Sequence, residues 1–241
     1  MSEHQWTGPG DDTGAAWSVL EEFASVVSHE IRTPLSIVKT AAETAHTHQD
    51  SMSREQIRGY LEMITRNSDL ALLLIERISL ARDIDHGDVD LSRQDVDLSQ
   101  LVRESVSDLE AVLLFEHPTE VLAPETVTLS ADPTAAREIV FNLLSNAAKY
   151  SAAGASIEVL VGVTDSTAHV IVRNHGGGVT PGDTERIFEK FERLDAGAPG
   201  TGLGLFISRG LARAHGGDLR VQPAAEAGSE FILTLPVAAT N

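Results

Sequence analysis

The stretch SHEIRTPLS, residues 28–36, sets a histidine, a carboxylate, a hydroxyl and a proline close together. If Val27 and Ile31 lie on an apolar helix face, His29 is two residues from each. At 100° per residue it stands about 200° around, pointing to solvent. Thr33 follows one turn later on the same face as His29, and Glu30 flanks the ring. Pro34, which costs about 3 kcal/mol inside a helix, loosens the backbone just beyond. A presented imidazole beside an acid has the makings of a nucleophile and its base. By itself it is also what a solvated surface histidine looks like, with Thr33 serving a backbone group freed by the proline.

A second constellation lies downstream. NLLSNAAKYS, residues 142–151, puts Asn142 and Asn146 one helical turn apart, with Lys149 three residues further. Amide oxygens ligate magnesium and an ammonium meets phosphate charge, so this face suits a metal-bridged phosphate. NHGGGV, residues 174–179, follows a strand pattern and lets backbone approach a flat ligand. GTGLGL, residues 200–205, opens a helix, where free amides and the dipole favour phosphate. Either glycine cluster alone is an ordinary turn; together, in this order and downstream of the histidine, they are hard to produce by accident.

The elements that must position these residues fall into two halves. A helix from about Ala15 to Ala45 carries Phe23, Val27, Ile31, Leu35, Val38 and Ala42 as one apolar stripe. After HTHQDSMS, a second helix repeats the pattern with Ile57, Leu61, Ile64, Ser68, Ala71, Ile75 and Ile78. So short a connection makes an antiparallel hairpin. One hairpin cannot bury both stripes together with Leu70, Leu72, Leu73 and Leu74, so two are expected to pair as a four-helix bundle, a homodimer. Residues 1–14 read as disordered, 15–82 as the hairpin, 83–93 as linker and 94–241 as an α+β domain. In that domain Asp97 with Gln100 resembles a capping box opening a helix to about Leu113. Val127–Leu129 reads as a short strand, and Asp132-Pro133 starts a helix to about Tyr150. SIEVLVGV, AHVIVRN, DLRVQP and SEFILTLPV form a mostly antiparallel sheet, with helices near 184–191 and 203–214. Gly216-Gly217 stops the second of these, and the helices layer on one sheet face.

Composition narrows the classes. There is no cysteine, hence no disulfide and no thiolate metal site. Thirty-six acids against eighteen bases give a formal charge of −18, which disfavours nucleic acid and anionic membranes as partners. No run of eighteen apolar residues occurs and the N-terminus is polar, so neither membrane insertion nor secretion is expected and the cytoplasm is the default compartment.

The chain resembles the transmitter portion of sensor histidine kinases of two-component systems. FASVVSHEIRTPLSIV is similar to their histidine box, NLLSNAAKYS to their asparagine box and NHGGGV to the first glycine box. IFEKFER, residues 187–193, matches the phenylalanine box, and GTGLGLFISRGLARAHGG the second glycine box. The resemblance runs from about residue 15 to 237, with every box in family order. It implies a dimerising histidine-phosphotransfer hairpin followed by an α/β-sandwich ATP-binding domain of the Bergerat type, shared with gyrase and MutL. By the same resemblance His29 is the phosphoacceptor, Glu30 takes or orients a ring proton, and Thr33 positions water for dephosphorylating a response regulator receiver domain. Asn146 would hold Mg2+ against ATP with Asn142 in support. Lys149 and Arg193 would contact phosphate, and Tyr150 would cover ribose or base. Asn174, Gly176 and Gly178 would form the base site, and Thr201, Gly202, Leu203 and Gly204 the phosphate loop, the last three lending backbone amides.

Three features depart from the family pattern. The first glycine box normally opens with an aspartate that accepts from the adenine amino group, and here Asn174 stands there. His175 and Gly177 are also less usual. LDAGAP, between Arg193 and Gly200, is a short lid without a basic residue. Only about fourteen residues precede the first helix, so either the sequence is part of a longer chain or the signal comes from a separate sensor protein or from that segment. The leading expectation is an ATP-dependent protein-histidine kinase. Its rival is a degenerate, dimeric, regulator-binding scaffold. A MutL-type ATPase needs a glutamate where Asn142 stands and leaves the histidine hairpin unexplained.

Overall fold

Ser53 and Gln56 cap each other, the Ser53 N–H donating to Gln56 Oε1 at 2.9 Å and the Gln56 N–H to Ser53 Oγ at 3.2 Å. This reciprocal box starts a helix immediately after a tight turn. The computed structural model describes residues 12–113, 117–194, 201–224 and 227–237, with side chains described except at 12–26 and at 112 and 113. The chain divides into two compact units between Ile78 and Ser79.

In the first unit, α1 (Asp12–His48) meets the turn, and α2 (Arg54–His86) leaves it. Helix α1 is already formed at Asp12, three residues before the expected start; most of the segment expected to be disordered lies outside the described residues. Helix α2 continues to His86, four residues into the segment expected as linker, and ends at Gly87 with φ of +73°. The buried seam differs from the expected stripes. On α1 it runs through Pro34 and Ala41, with Leu35 and Ala42 exposed; on α2 it runs through Asn67 and Ala71, with Leu61 and Ile75 exposed. Ala71 keeps its expected place, while Pro34, Ala41 and Asn67 are each one position before an expected residue. The physical reason is that adjacent positions carry the same four–three period, so packing between the helices, and not the pattern, selects which set is covered.

The second unit is α+β. Helix α3 (Leu98–Leu113) follows β1 (Gln94–Asp97), which pairs antiparallel with β3 (Thr128–Ala131). A five-stranded sheet has the order β2 (Thr119–Leu122), β4 (Ile157–Thr164), β5 (Thr167–Asn174), β7 (Ser229–Pro236), β6 (Asp218–Pro223). Only the β2–β4 pair is parallel. Strands β1 and β2 escaped sequence reading because four residues are too few to show a period. On the inner face Val159, Val170, Val172, Leu233 and Leu235 are buried against α4 (Pro133–Tyr150) and α5 (Gly204–Ala214). Each large aliphatic so buried contributes about 1.5–3 kcal/mol.

Caps fix where these helices begin. Asp132 Oδ1 accepts from the N–H of Thr134 and of Ala135, as expected for α4. Asp97 Oδ1 accepts from Ser99, Gln100 and Val127. The Gln100 amide instead reaches Glu104 at 2.8 Å, so the expected box is half made. The helix expected at 184–191 is a single 3-10 turn, Arg186–Phe188. Helix α5 stops at Gly216, φ +85°, with the Gly217 N–H bonded to Ala212 O.

Candidate active site

His29 lies on the outward face of α1, its side chain 76% exposed. Nδ1 is 3.9 Å from Glu30 Oε1, an ion-pair separation rather than a hydrogen bond, and this leaves Nε2 directed away from the acid. The Thr33 hydroxyl donates to the His29 carbonyl at 3.1 Å. The carbonyl that Pro34 deprives of an N–H is that of Glu30, four residues earlier. Thr33 therefore does not repair the proline break.

In the second unit a cleft of about 240 Å³ opens between α4, the end of β5, the 3-10 turn and the start of α5. Asn174 and Ser229 are direct cross-strand partners in β5 and β7. Strand alternation turns both inward, where they form the cleft floor, 2% exposed each. Their outward neighbours Arg173 and Glu230 are also paired, and Arg173 bridges Glu230 Oε1 and Glu158 Oε2, each at 2.5 Å. His175 adds a 3.4 Å contact to Glu158. These bonds and charges lower the Glu230 carboxyl pKa, the bond from Gln222 first, and they pin the register that sets the floor.

The Ser229 hydroxyl oxygen accepts from the Val179 N–H at 2.9 Å, anchoring the first glycine loop over the floor. That loop passes close to other backbone: a Cβ on Gly176 would overlap Tyr150 O, and one on Gly178, φ +69°, would overlap Gly228 O. Among expected site residues, Asn146, Tyr150, Asn174, Gly178 and Arg193 line the cleft. Lys149 instead lies over the Tyr150 ring, 4.8 Å from its centroid.

Asn142 is turned elsewhere. Its Nδ2 donates to the Ser208 hydroxyl of α5 at 2.8 Å, and its amide fills the space a Cβ on Gly204 would need. It joins α4 to the start of α5. Gly202, φ +71°, lies against the Phe191 backbone, and the Phe191 N–H bonds Gly202 O at 3.1 Å. Leu203, 1% exposed, is packed at the start of α5, and the Thr201 hydroxyl accepts from its N–H. Of the expected lid, residues 194–199, Leu194 lines the cleft and 195–199 lie outside the described residues.

Cleft residues missed in the sequence include Val179, Ile187, Leu205, Ser229 and Phe231. The alternation of SEFILTLP signals that Ser229 and Phe231 share a face, but nothing local says which face borders a ligand.

Helix α5 is held by a charge cluster behind the cleft. Arg209, 12% exposed, binds Glu185 and Asp218 and stacks on Phe188 at 4.6 Å. Burial alone would push the Asp218 carboxyl pKa up. Bonds from Arg209, from the Leu219 N–H and from Arg220 outweigh it and hold it at about 2.

A helical hairpin with a presented histidine, followed by a helix-layered sheet with a polar-floored cleft, defines a two-domain phosphotransfer transmitter. Family models agree on both parts. The His Kinase A (phospho-acceptor) domain matches residues 19–87, and the histidine kinase-, DNA gyrase B-, and HSP90-like ATPase matches 131–239. The chain belongs to the sensor histidine kinases of two-component systems, and carries their transmitter region. It is 32% identical over 227 residues to sensor histidine kinase MtrB of Mycolicibacterium paratuberculosis, covering 91% of this chain and 40% of that protein. With histidine protein kinase DivJ of Caulobacter vibrioides it shares 29% over 244 residues, 98% of this chain and 40% of that protein. Among solved structures, full-length ShkA in complex with AMPPNP superposes with a TM-score of 0.68 at 26% identity, over 91% of this chain and 46% of that one. The chain thus spans about 40% of the length of the first two of these relatives. Among the described residues, no helix is long and apolar enough to cross a membrane.

Proposed function

We propose that this chain is an ATP-dependent protein-histidine kinase that phosphorylates His29 and passes the phosphoryl group to an aspartate of a response regulator. The observation that carries the reading is the exposed His29 ring with Glu30 beside Nδ1, in a chain whose other unit holds a nucleotide-type cleft. Nε2 attacks the γ-phosphorus in line; the P–N bond forms as the bond to the bridging oxygen breaks, and ADP leaves. Glu30 takes or holds the Nδ1 proton, so charge on the ring is compensated as the bond forms. ATP use implies a cytoplasmic site of action.

Asn174 and Ser229 would meet the base, Tyr150 the ribose or base, and Arg193 the phosphates. Asn146 lines the cleft and its amide hydrogen-bonds no described residue, so a hard oxygen donor is available for Mg2+. When bound, Mg2+ neutralises phosphate charge, which matters in a chain of net charge −18. Asn142, Gly202, Leu203 and Gly204 act one step back, by holding α5 and the loop before it. Thr33 serves regulator dephosphorylation rather than loading of His29.

The working form is a homodimer. Leu61, Leu70, Leu72, Leu73 and Ile75 of α2 and Leu35 of α1 are all about half exposed in a single chain. A second hairpin would cover them as a four-helix bundle.

Incubation with γ-labelled Mg-ATP tests the reading. Label on the wild type should be lost in acid and kept in base, and absent from His29→Ala. A second reading, a regulator-binding scaffold with little catalysis, is favoured by the uncharged Asn174 in the cleft. Dimers that bind regulator but take up no label would establish it instead.

A further inference from the structure

We propose that the cleft accepts 6-oxopurine nucleotides, of the guanosine and inosine kind, alongside adenine nucleotides, with Asn174 as the residue that sets this breadth. The inference rests on the nucleotide-binding reading given above. Asn174 is 98% buried by its 2% exposure, lines the cleft, and its amide hydrogen-bonds no described residue. The amide opens to the cleft, so its oxygen and its N–H2 are both available to a ligand there.

The donor and acceptor pattern decides which ligands can. Adenine offers an exocyclic N6–H donor, with the N1 acceptor next to it. A 6-oxopurine reverses the order, with an O6 acceptor next to an N1–H donor. A carboxylate only accepts: with the 6-position of the base set against it, it takes the N6–H of the first edge and meets O6 of the second lone pair to lone pair, and the base must shift before it can accept from N1–H instead. An amide carries both functions on one planar group, and half a turn about its last bond exchanges them. Asn174 therefore meets either edge with two complementary bonds.

The other polar group of the floor is equally two-sided. Ser229 Oγ accepts from the Val179 N–H, which leaves its own proton free to donate and a lone pair free to accept. Glu192, the one carboxylate lining the cleft among the described residues, is engaged by Arg186 at 2.7 Å. No unpaired negative charge on the described floor rejects O6.

Magnesium-dependent calorimetric titration of the full chain with ADP, IDP and GDP tests this without turnover. For the wild type, IDP or GDP should bind within tenfold of ADP. In Asn174→Asp the same nucleotide should fall further behind ADP than it does in the wild type, because a base whose 6-position meets residue 174 sets O6 against a carboxylate that cannot donate. In Asn174→Ala, which avoids burying a charge in the empty cleft, ADP and the 6-oxopurine should weaken by equal factors. Wild-type binding of both IDP and GDP more than tenfold weaker than ADP would overturn the inference while leaving nucleotide binding intact. So would an Asn174→Ala variant that weakens ADP alone. Failure of all three nucleotides to bind the wild type would remove the nucleotide-binding reading itself, and this inference with it.

Discussion

Asp218 offers a stability test of the scaffold behind the cleft. Its side chain is 21% exposed and receives Arg209 and Arg213 at 3.1 Å and Arg220 at 3.3 Å. The carboxyl is brought from its ordinary 3.8 to about 2, worth about 2 kcal/mol at roughly 1.4 kcal/mol per tenfold change in proton affinity. Because the folded value is depressed, this stability is present above the unfolded pKa and lost as pH falls through the folded one. It should be whole at pH 7, near half at pH 3 and only a few tenths of a kcal/mol, roughly, at pH 2. Asp218→Asn should therefore lower amide-exchange protection in β6 and β7 by about 30-fold at pH 7. Urea unfolding of the two proteins should converge as pH drops from 4 to 2. Neither Trp6 nor Trp17 lies in this unit, so far-ultraviolet circular dichroism is the readout. A change of less than threefold at pH 7, or a stability gap that persists at pH 2, would refute the assignment of Asp218 as the anchor of α5.

Further outcomes follow from the same geometry. Leu72→Glu with Leu73→Glu should yield monomers that keep their helix content in light scattering and circular dichroism. By contrast, Ala71→Glu, which strikes the 5% exposed intrachain seam, should unfold the hairpin. Asn142→Ala strands the buried Ser208 hydroxyl bonded at 2.8 Å; it should cost about 1–3 kcal/mol by chemical denaturation and weaken ADP binding in calorimetry. Gly202→Ala forces a left-handed backbone on a residue with a Cβ, about 1–2 kcal/mol, and overlaps the Phe191 backbone, so ADP affinity should fall. Thr33→Ala should still load His29 with label but remove phosphate from a regulator more slowly, checked by label chase.

The sequence by itself determined the chemistry and its order along the chain. His29 could be put on the outer face from Val27 and Ile31 alone, because helical geometry leaves no other direction for it. Asp132-Pro133 and Gly216-Gly217 marked helix ends, since caps and left-handed glycines are local requirements met by neighbouring residues. The alternation of AHVIVRN and SEFILTLP fixed which residues share a face. Tertiary structure decided what those faces meet. Ala71 is buried as its stripe requires, but Pro34, Ala41 and Asn67 line the seam instead of Leu35, Ala42 and Ser68, because neighbouring positions share the same period and only packing between helices selects one set. Asn142 and Asn146 sit one turn apart on α4, yet the first binds Ser208 and the second lines the cleft, since α5 covers only one end of that turn. Ser229 reaches the floor through its pairing with Asn174, 55 positions away in sequence (229 minus 174). A cross-strand partner at that distance is chosen by sheet register, and register is a property of the folded chain.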